Sequence, residues 1–242
     1  FQEDGDRDIT SEFLFDEAEE RDASLISKQK GIICGLKFAE KICQHADPSL
    51  VVEPYLDEGD PVQDRMVILG LHGKVRSLLR IERVLINFLS RLSGIATFTS
   101  QFIDHVEGTG AVILDTRKTI PGWRFLDKYA VTMGGGINHR MNLSDIAMIK
   151  DSHLEVVKNV TEAIQRFRAK EMTKPLIVEV RNLLEFKEAL PAVKSLTRIT
   201  LDNFSLEDIK QAVVLSNGKV LLEASGNITL ENARAIAETG VH

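Results

Sequence analysis

Only two cysteines occur in the 242 residues, Cys34 and Cys43, and their C-x8-C spacing matches no metal-ligand pattern. A reduced, cytoplasmic setting is therefore expected. No apolar run approaches the ~20 residues of a membrane span. The opening FQEDGDRDITSEFLF is acidic and unlike a secretory signal, so the N-x-S/T sequences at Asn142, Asn159, Asn203 and Asn227 read as chance matches. A net charge of −6 with no basic face argues against a general nucleic-acid binder. Neither a G-x-x-x-x-G-K-[ST] loop nor a G-x-G-x-x-G turn is present. Aromatics are few (6%) and prolines number six, while 43% of residues are hydrophobic and 27% charged. That is a globular composition, long enough for one large or two ordinary domains.

The first ~75 residues mix short strands with one helix. ASLISKQKGIICGL alternates and then runs apolar with glycine breaks, LKFAEKICQHA has helical spacing, and YLDEGDPVQDRMVILGLHGKV reads as a turn and further strands. From Ile81 to Val106 the apolar residues recur at a helical period, with Gly94 as a possible break between two helices. Arg83 falls about 200° from Ile81 at ~100° per residue, off the apolar stripe. It is either solvated or reaches another domain or subunit.

After residue 110 the pattern becomes α/β. The runs AVILDT, IAMIKD, LIVEV, RITLDN and KVLLEAS alternate with amphipathic stretches. Continuous apolar runs suit parallel strands covered on both faces. Asp115, Lys150, Glu179, Asp202 and Glu223 are separated by 35, 29, 23 and 21 positions, which favours a parallel α/β barrel.

A barrel gathers its chemistry at the C-terminal strand ends. Here those are Thr116-Arg117-Lys118, Lys150-Asp151, Glu179, Asp202-Asn203 and Ser225-Gly226-Asn227. MGGGINHRMNLSD brings three glycines, which form either a turn or a close approach to a ligand, next to His139 and Arg140. Arg117, Lys118, His139, Arg140 and Lys150 would suit a small polyanion. Glu179 and Asp202 suit Mg²⁺, completed by substrate phosphates. The turn at Ser225-Gly226-Asn227, before a helix starting near Thr229, suits a phosphate or simply a helix cap. Lys150 admits another reading, a Schiff-base lysine of an aldolase-type lyase. A non-enzymatic anion-binding protein is a third class.

Several of these segments resemble one family. IERVLINFLSRLSGIAT, ILDTRKTIPGWRFLDKYAV, GGGINHRMNLSDIAMIKDSH, ITLDNFS and LEASGNIT, with EDGDRDITS near the start, are similar to the quinolinate phosphoribosyltransferases (nicotinate-nucleotide pyrophosphorylases). The family usually shows asparagine where Ser152 stands and glycine where Asn227 stands.

The resemblance implies an N-terminal α+β domain over 1–92 and an open, seven-stranded type of parallel α/β barrel over 93–242. It also leads one to expect a further strand and phosphate loop beyond His242. The implied reaction moves phosphoribose from PRPP to quinolinate with loss of CO₂, giving nicotinate mononucleotide. By the same resemblance Arg117, His139, Arg140 and Lys150 bind quinolinate, with Thr116 in the substrate-binding set. Lys118 and Lys150 face PRPP, Glu179 and Asp202 hold the ribose and Mg²⁺, and Ser225-Gly226-Asn227 takes the 5′-phosphate. Lys118, Lys150, Glu179 and Asp202 form the implied catalytic set. Arg83 enters from a neighbouring subunit of a dimer or larger oligomer. A molybdenum-transport-associated homologue shares much of the pattern and acts on another acceptor.

Overall fold

The computed structural model describes residues 7–242. The first four residues of the EDGDRDITS match lie outside them. Two compact units result, one made of the chain up to Ser100 plus Thr119–Ile137, the other of Gln101–Lys118 plus Asn138–His242.

In the first unit α1 (Ile9–Leu14) precedes β1 (Glu20–Ile26), β2 (Gly31–Ile32), α2 (Leu36–Ala46), β3 (Val51–Pro54), β4 (Pro61–Val62) and β5 (Val67–Lys74). β5 lies between β1 and β3 in an antiparallel sheet, and β2 pairs with β4. LKFAEKICQHA forms α2 as its spacing predicts. Its start is fixed by Glu58, which accepts the amides of Gly35 (2.8 Å) and Lys37 (3.0 Å); a carboxylate is favoured there by the helix dipole. Cys43 belongs to the core of this unit with Ile33, Leu69, Ile81 and Leu85. Both thiols are buried and free, and burial pushes Cys34 up to about 12 and Cys43 to about 11.

α3 (Val75–Val106) is one continuous helix of 32 residues. Gly94 does not break it: the buried stripe runs on through Leu92 and Ala96 on either side, and its packing outweighs the roughly 1 kcal/mol that glycine costs a helix. Ile81, Leu85, Leu89, Leu92 and Ala96 are buried along one face, each leucine contributing on the order of 1.5–3 kcal/mol through burial. Arg83 is exposed, off that stripe as the helical angle predicts. Among the described residues no helix is long and apolar enough to cross a membrane.

α4 (Arg124–Met133) follows the Pro-Gly turn and ends at the triple glycine. The sequence reading did not anticipate this helix. A Cβ on Gly134 would stand 2.3 Å from the carbonyl oxygen of Ala96, and one on Gly136 would stand 2.6 Å from Val131 Cγ1. These two glycines therefore let the end of α4 pack against α3, a role that neither a free turn nor ligand contact supplies.

The second unit holds β6 (Ala147–Ile149), α5 (Asp151–Leu154), α6 (Val160–Arg168), β7 (Leu176–Val180), α7 (Leu183–Ala189), β8 (Arg198–Asp202), α8 (Leu206–Ser216), β9 (Leu221–Ser225) and α9 (Leu230–Ala237). The four strands run parallel in the order β6-β7-β8-β9. Four of the five expected strands are thus present. AVILDT is the exception: only Leu114 forms a bridge, Val112 is 43% exposed, and Ala111 and Ile113 pack beside Ala233 and Ala237 of α9. The run buries one side against a helix instead of both faces within a sheet.

Candidate active site

Strand register builds the site. Glu179 on β7 lies opposite Thr200 on β8, and Thr200 lies opposite Glu223 on β9; Asp202 faces Ser225 one step further on. Because side chains alternate, these five share one face of the sheet. The other face carries Val178, Val180, Ile199, Leu201 and Leu222, packed with Phe186, Ile164 and Ile209 of the helices. Burying that face fixes which residues the polar face must present.

Cations gather from the segments before β6 and at its end. Arg140 is buried, and its guanidinium donates to the carbonyl of Ile146 (3.1 Å) and to Met148 Sδ (3.3 Å). Burial lowers its pKa, as does the positive charge of Arg117, while Glu179 acts in the opposite sense. Arg117 is half-buried, and its Nε is buried without a hydrogen-bond partner. Lys118 is exposed and donates its amide to Thr116 Oγ1 (3.0 Å), which closes the turn carrying both cations. Lys150 is the N-cap of α5 and is exposed.

The carboxylates differ among themselves. Burial raises the pKa of Glu179, and the charges of Asp202 and Asp151 raise it further, against the lowering effect of Lys150. Burial would also raise Glu223, but His139 and Arg198 hold it below the ordinary value; Arg198 Nη1 donates to it at 2.8 Å. Asp202 accepts from Ser225 Oγ (3.0 Å) and Asn203 Nδ2 (3.0 Å). Among the described residues no group of three or more His, Cys, Asp or Glu side chains is arranged to hold a metal ion. An ion at Glu179 and Asp202 would take its other ligands from a substrate, a donor set that suits Mg²⁺. The raised Glu179 is a carboxylate that such a cation would relieve.

The turn after β9 packs against the side chain of Asn203, which a Cβ on Gly226 would strike. Gly226 has φ 86° and Asn227 φ 52°, the left-handed region that glycine adopts freely and asparagine tolerates. Asn227 thus meets the backbone demand of a position where glycine is common in the resembling family. Its side chain donates to Asn203 Oδ1 (2.8 Å), and Thr229 caps α9 with its amide bonded to Asn232 Oδ1 (2.8 Å).

The structure therefore brings Arg117, His139, Arg140, Lys150, Glu179, Asp202, Ser225, Gly226 and Asn227 into one unit with Thr116 and Lys118, while Arg83 belongs to the other. Sequence reasoning assigned no partner to Glu223 and overlooked Arg198, which begins its strand and so lay outside the strand-end signal. Asp115 accepts the amide of His139 (2.8 Å) and ties the two cation-bearing segments together.

Family models for the quinolinate phosphoribosyl transferase N-terminal domain and C-terminal domain match residues 8–93 and 95–242. The chain is 41% identical to a chloroplastic nicotinate-nucleotide pyrophosphorylase (carboxylating) of Oryza sativa, over 91% of this chain and 63% of that one, so it spans less than two thirds of that relative. It is 40% identical to a mitochondrial quinolinate phosphoribosyltransferase (decarboxylating) of Nicotiana tabacum, over 97% and 71%. The structure of NadC from Streptococcus pyogenes superposes with TM-score 0.92 at 36% identity, covering 98% of this chain and 83% of that one. The Francisella tularensis nicotinate-nucleotide pyrophosphorylase gives 0.91 at 38%, covering 97% and 82%. The chain belongs to the quinolinate phosphoribosyltransferase family.

Proposed function

We propose that this chain transfers phosphoribose from PRPP to quinolinate with decarboxylation, giving nicotinate mononucleotide, pyrophosphate and CO₂. The observation that carries the reading is the pair Arg117 and Arg140. Both are withdrawn from solvent, their positive charges bear on one another, and the buried Nε of Arg117 lacks a partner. Buried donors without acceptors are costly unless an anion arrives, and a dicarboxylate answers two guanidinium groups at once.

In this reading Arg117, Arg140 and Lys150 clamp the carboxylates, with Thr116 and His139 beside them, so that the ring nitrogen points at C1 of the ribose. Glu179 and Asp202 accept the ribose hydroxyls, and their negative charge favours the oxocarbenium-like centre as the C1–O bond to pyrophosphate breaks. The same carboxylates would hold Mg²⁺, which supplies charge neutralisation for the pyrophosphate. Ser225, Gly226 and Asn227 receive the 5′-phosphate, and Lys118 faces the pyrophosphate. Catalysis is then mainly positioning and electrostatics. Once the N-glycosidic bond forms, the pyridinium ring takes up the electron pair of the breaking C–C bond as CO₂ leaves. Arg83 would be supplied by a neighbouring subunit, which calls for at least a dimer, and the cytoplasm is the proposed compartment.

Incubation with quinolinate, PRPP and Mg²⁺ should give nicotinate mononucleotide and pyrophosphate in equal amounts. Absence of both overturns the reading, and borohydride trapping of a carbonyl compound on Lys150 would replace it with a lyase.

A further inference from the structure

Arg198 and Glu223, which no substrate role accounts for, form a polar line with His139. Glu223 lies on the same face as Glu179, with a side chain only 18% exposed. Arg198, on the neighbouring strand, donates to its Oε2 at 2.8 Å. The Nε2 of His139, whose side chain is 10% exposed, faces the same oxygen at 3.6 Å, a charge contact longer than a hydrogen bond, which Nε2 does not otherwise make. The other ring nitrogen is engaged as well: Nδ1 accepts the backbone amide of Arg140 at 2.8 Å.

An imidazole nitrogen that accepts an N–H carries no proton of its own. The neutral ring must then bear its proton on Nε2, the atom turned to Glu223. We infer that Glu223 is a positioning residue, whose negative charge favours the Nε2–H tautomer that the Arg140 amide requires of His139 and so helps to fix the peptide that carries Arg140. His139 serves the site through Arg140 and not by donating to a carboxylate of the substrate. The arrangement is economical in charge. Arg198 keeps Glu223 ionised, and the ionised carboxylate sets the ring. The amide of His139, held by Asp115 at 2.8 Å, anchors the other side of the same residue, so both peptides flanking its Cα are tied down. The guanidinium of Arg140 is held independently by Ile146 and Met148, which leaves the backbone as the coordinate that Glu223 controls.

This inference rests on quinolinate as the ligand of Arg140, but its first test does not. ¹⁵N-detected imidazole spectra of the full chain, with the His139 signals assigned by their loss in His139→Gln, should show protonated Nε2 and bare Nδ1. A proton on Nδ1 overturns the proposal, whatever the enzyme's activity. In Glu223→Ala the Nε2–H tautomer is left to the Arg140 amide alone, and its population should fall. Quinolinate binding should weaken roughly 10- to 100-fold, as expected of a displaced binding group, while PRPP binding changes by less than about threefold. Glu223→Asp, which keeps the negative charge on this face, should recover part of the affinity, and Glu223→Gln, which loses it, should not. Equal loss for both ligands would mark a merely structural carboxylate and overturn the specific link to Arg140. Should the unaltered chain bind no quinolinate at all, the proposed function fails while the tautomer result stands by itself.

Discussion

Ser225 donates its hydroxyl to Asp202 at 3.0 Å across a register pair of β8 and β9. The bond joins the turn proposed for the 5′-phosphate to the carboxylate proposed for the ribose and metal. Ser225→Ala removes it without disturbing the strands. One hydrogen bond is worth about 0.5–1.5 kcal/mol, so KM for PRPP should rise roughly 2- to 10-fold with quinolinate binding unchanged. Steady-state kinetics with each substrate varied in turn checks this; a selective rise for quinolinate would separate the two sites.

Arg117→Ala should raise KM for quinolinate and cut kcat/KM by roughly 10²–10³, since a charge-assisted contact is lost in ground and transition states alike. The fold should not suffer, because a buried Nε without a partner leaves as well. Thermal unfolding at equal or higher temperature, with near-complete loss of quinolinate binding by calorimetry, is the expected pair of results. Near-normal turnover would remove Arg117 from the site.

Glu179 opposes folding at neutral pH. Its folded pKa lies above the ordinary 4.5, through burial first and then the charges of Asp202 and Asp151. A carboxyl with a raised pKa binds its proton more tightly in the folded state, so the folded chain loses stability as pH climbs from about 4.5 through that raised value. Glu179→Gln should therefore melt higher than the natural chain at pH 8, and the gain should shrink toward pH 4. Activity should be lost at every pH. Melting curves across that range decide it, and a gain independent of pH would discard the electrostatic explanation.

Gly134→Ala would place a methyl group 2.3 Å from the Ala96 carbonyl oxygen, a backbone atom that cannot swing aside. Overpacking of this kind costs about 1–3 kcal/mol. Gly94→Ala meets nothing within 4 Å on the same helix and should stabilise by up to about 1 kcal/mol. Denaturant melts of the two variants should shift in opposite directions; a neutral Gly134→Ala would refute the packing role.

Much of this protein was legible in its residues. Helical spacing placed α2 and α3, because burial of one face dictates the spacing of apolar side chains, and continuous apolar runs placed β7, β8 and β9. The charged strand ends marked Arg117, Lys150, Glu179 and Asp202 before any geometry was known. Local chemistry even set the backbone at Asn227, one of few residues that accept its left-handed φ. Other features needed the folded chain. The triple glycine reads the same whether it meets a ligand or a helix, and only the Ala96 carbonyl beside Gly134 decided that. AVILDT is as apolar as the true strands, yet it packs on α9, because a strand exists only where a neighbour completes its hydrogen bonds. The join between Arg198, Glu223 and His139 spans positions up to 84 residues apart in the chain. Such a contact leaves no periodic trace, since strand register and loop closure bring it about.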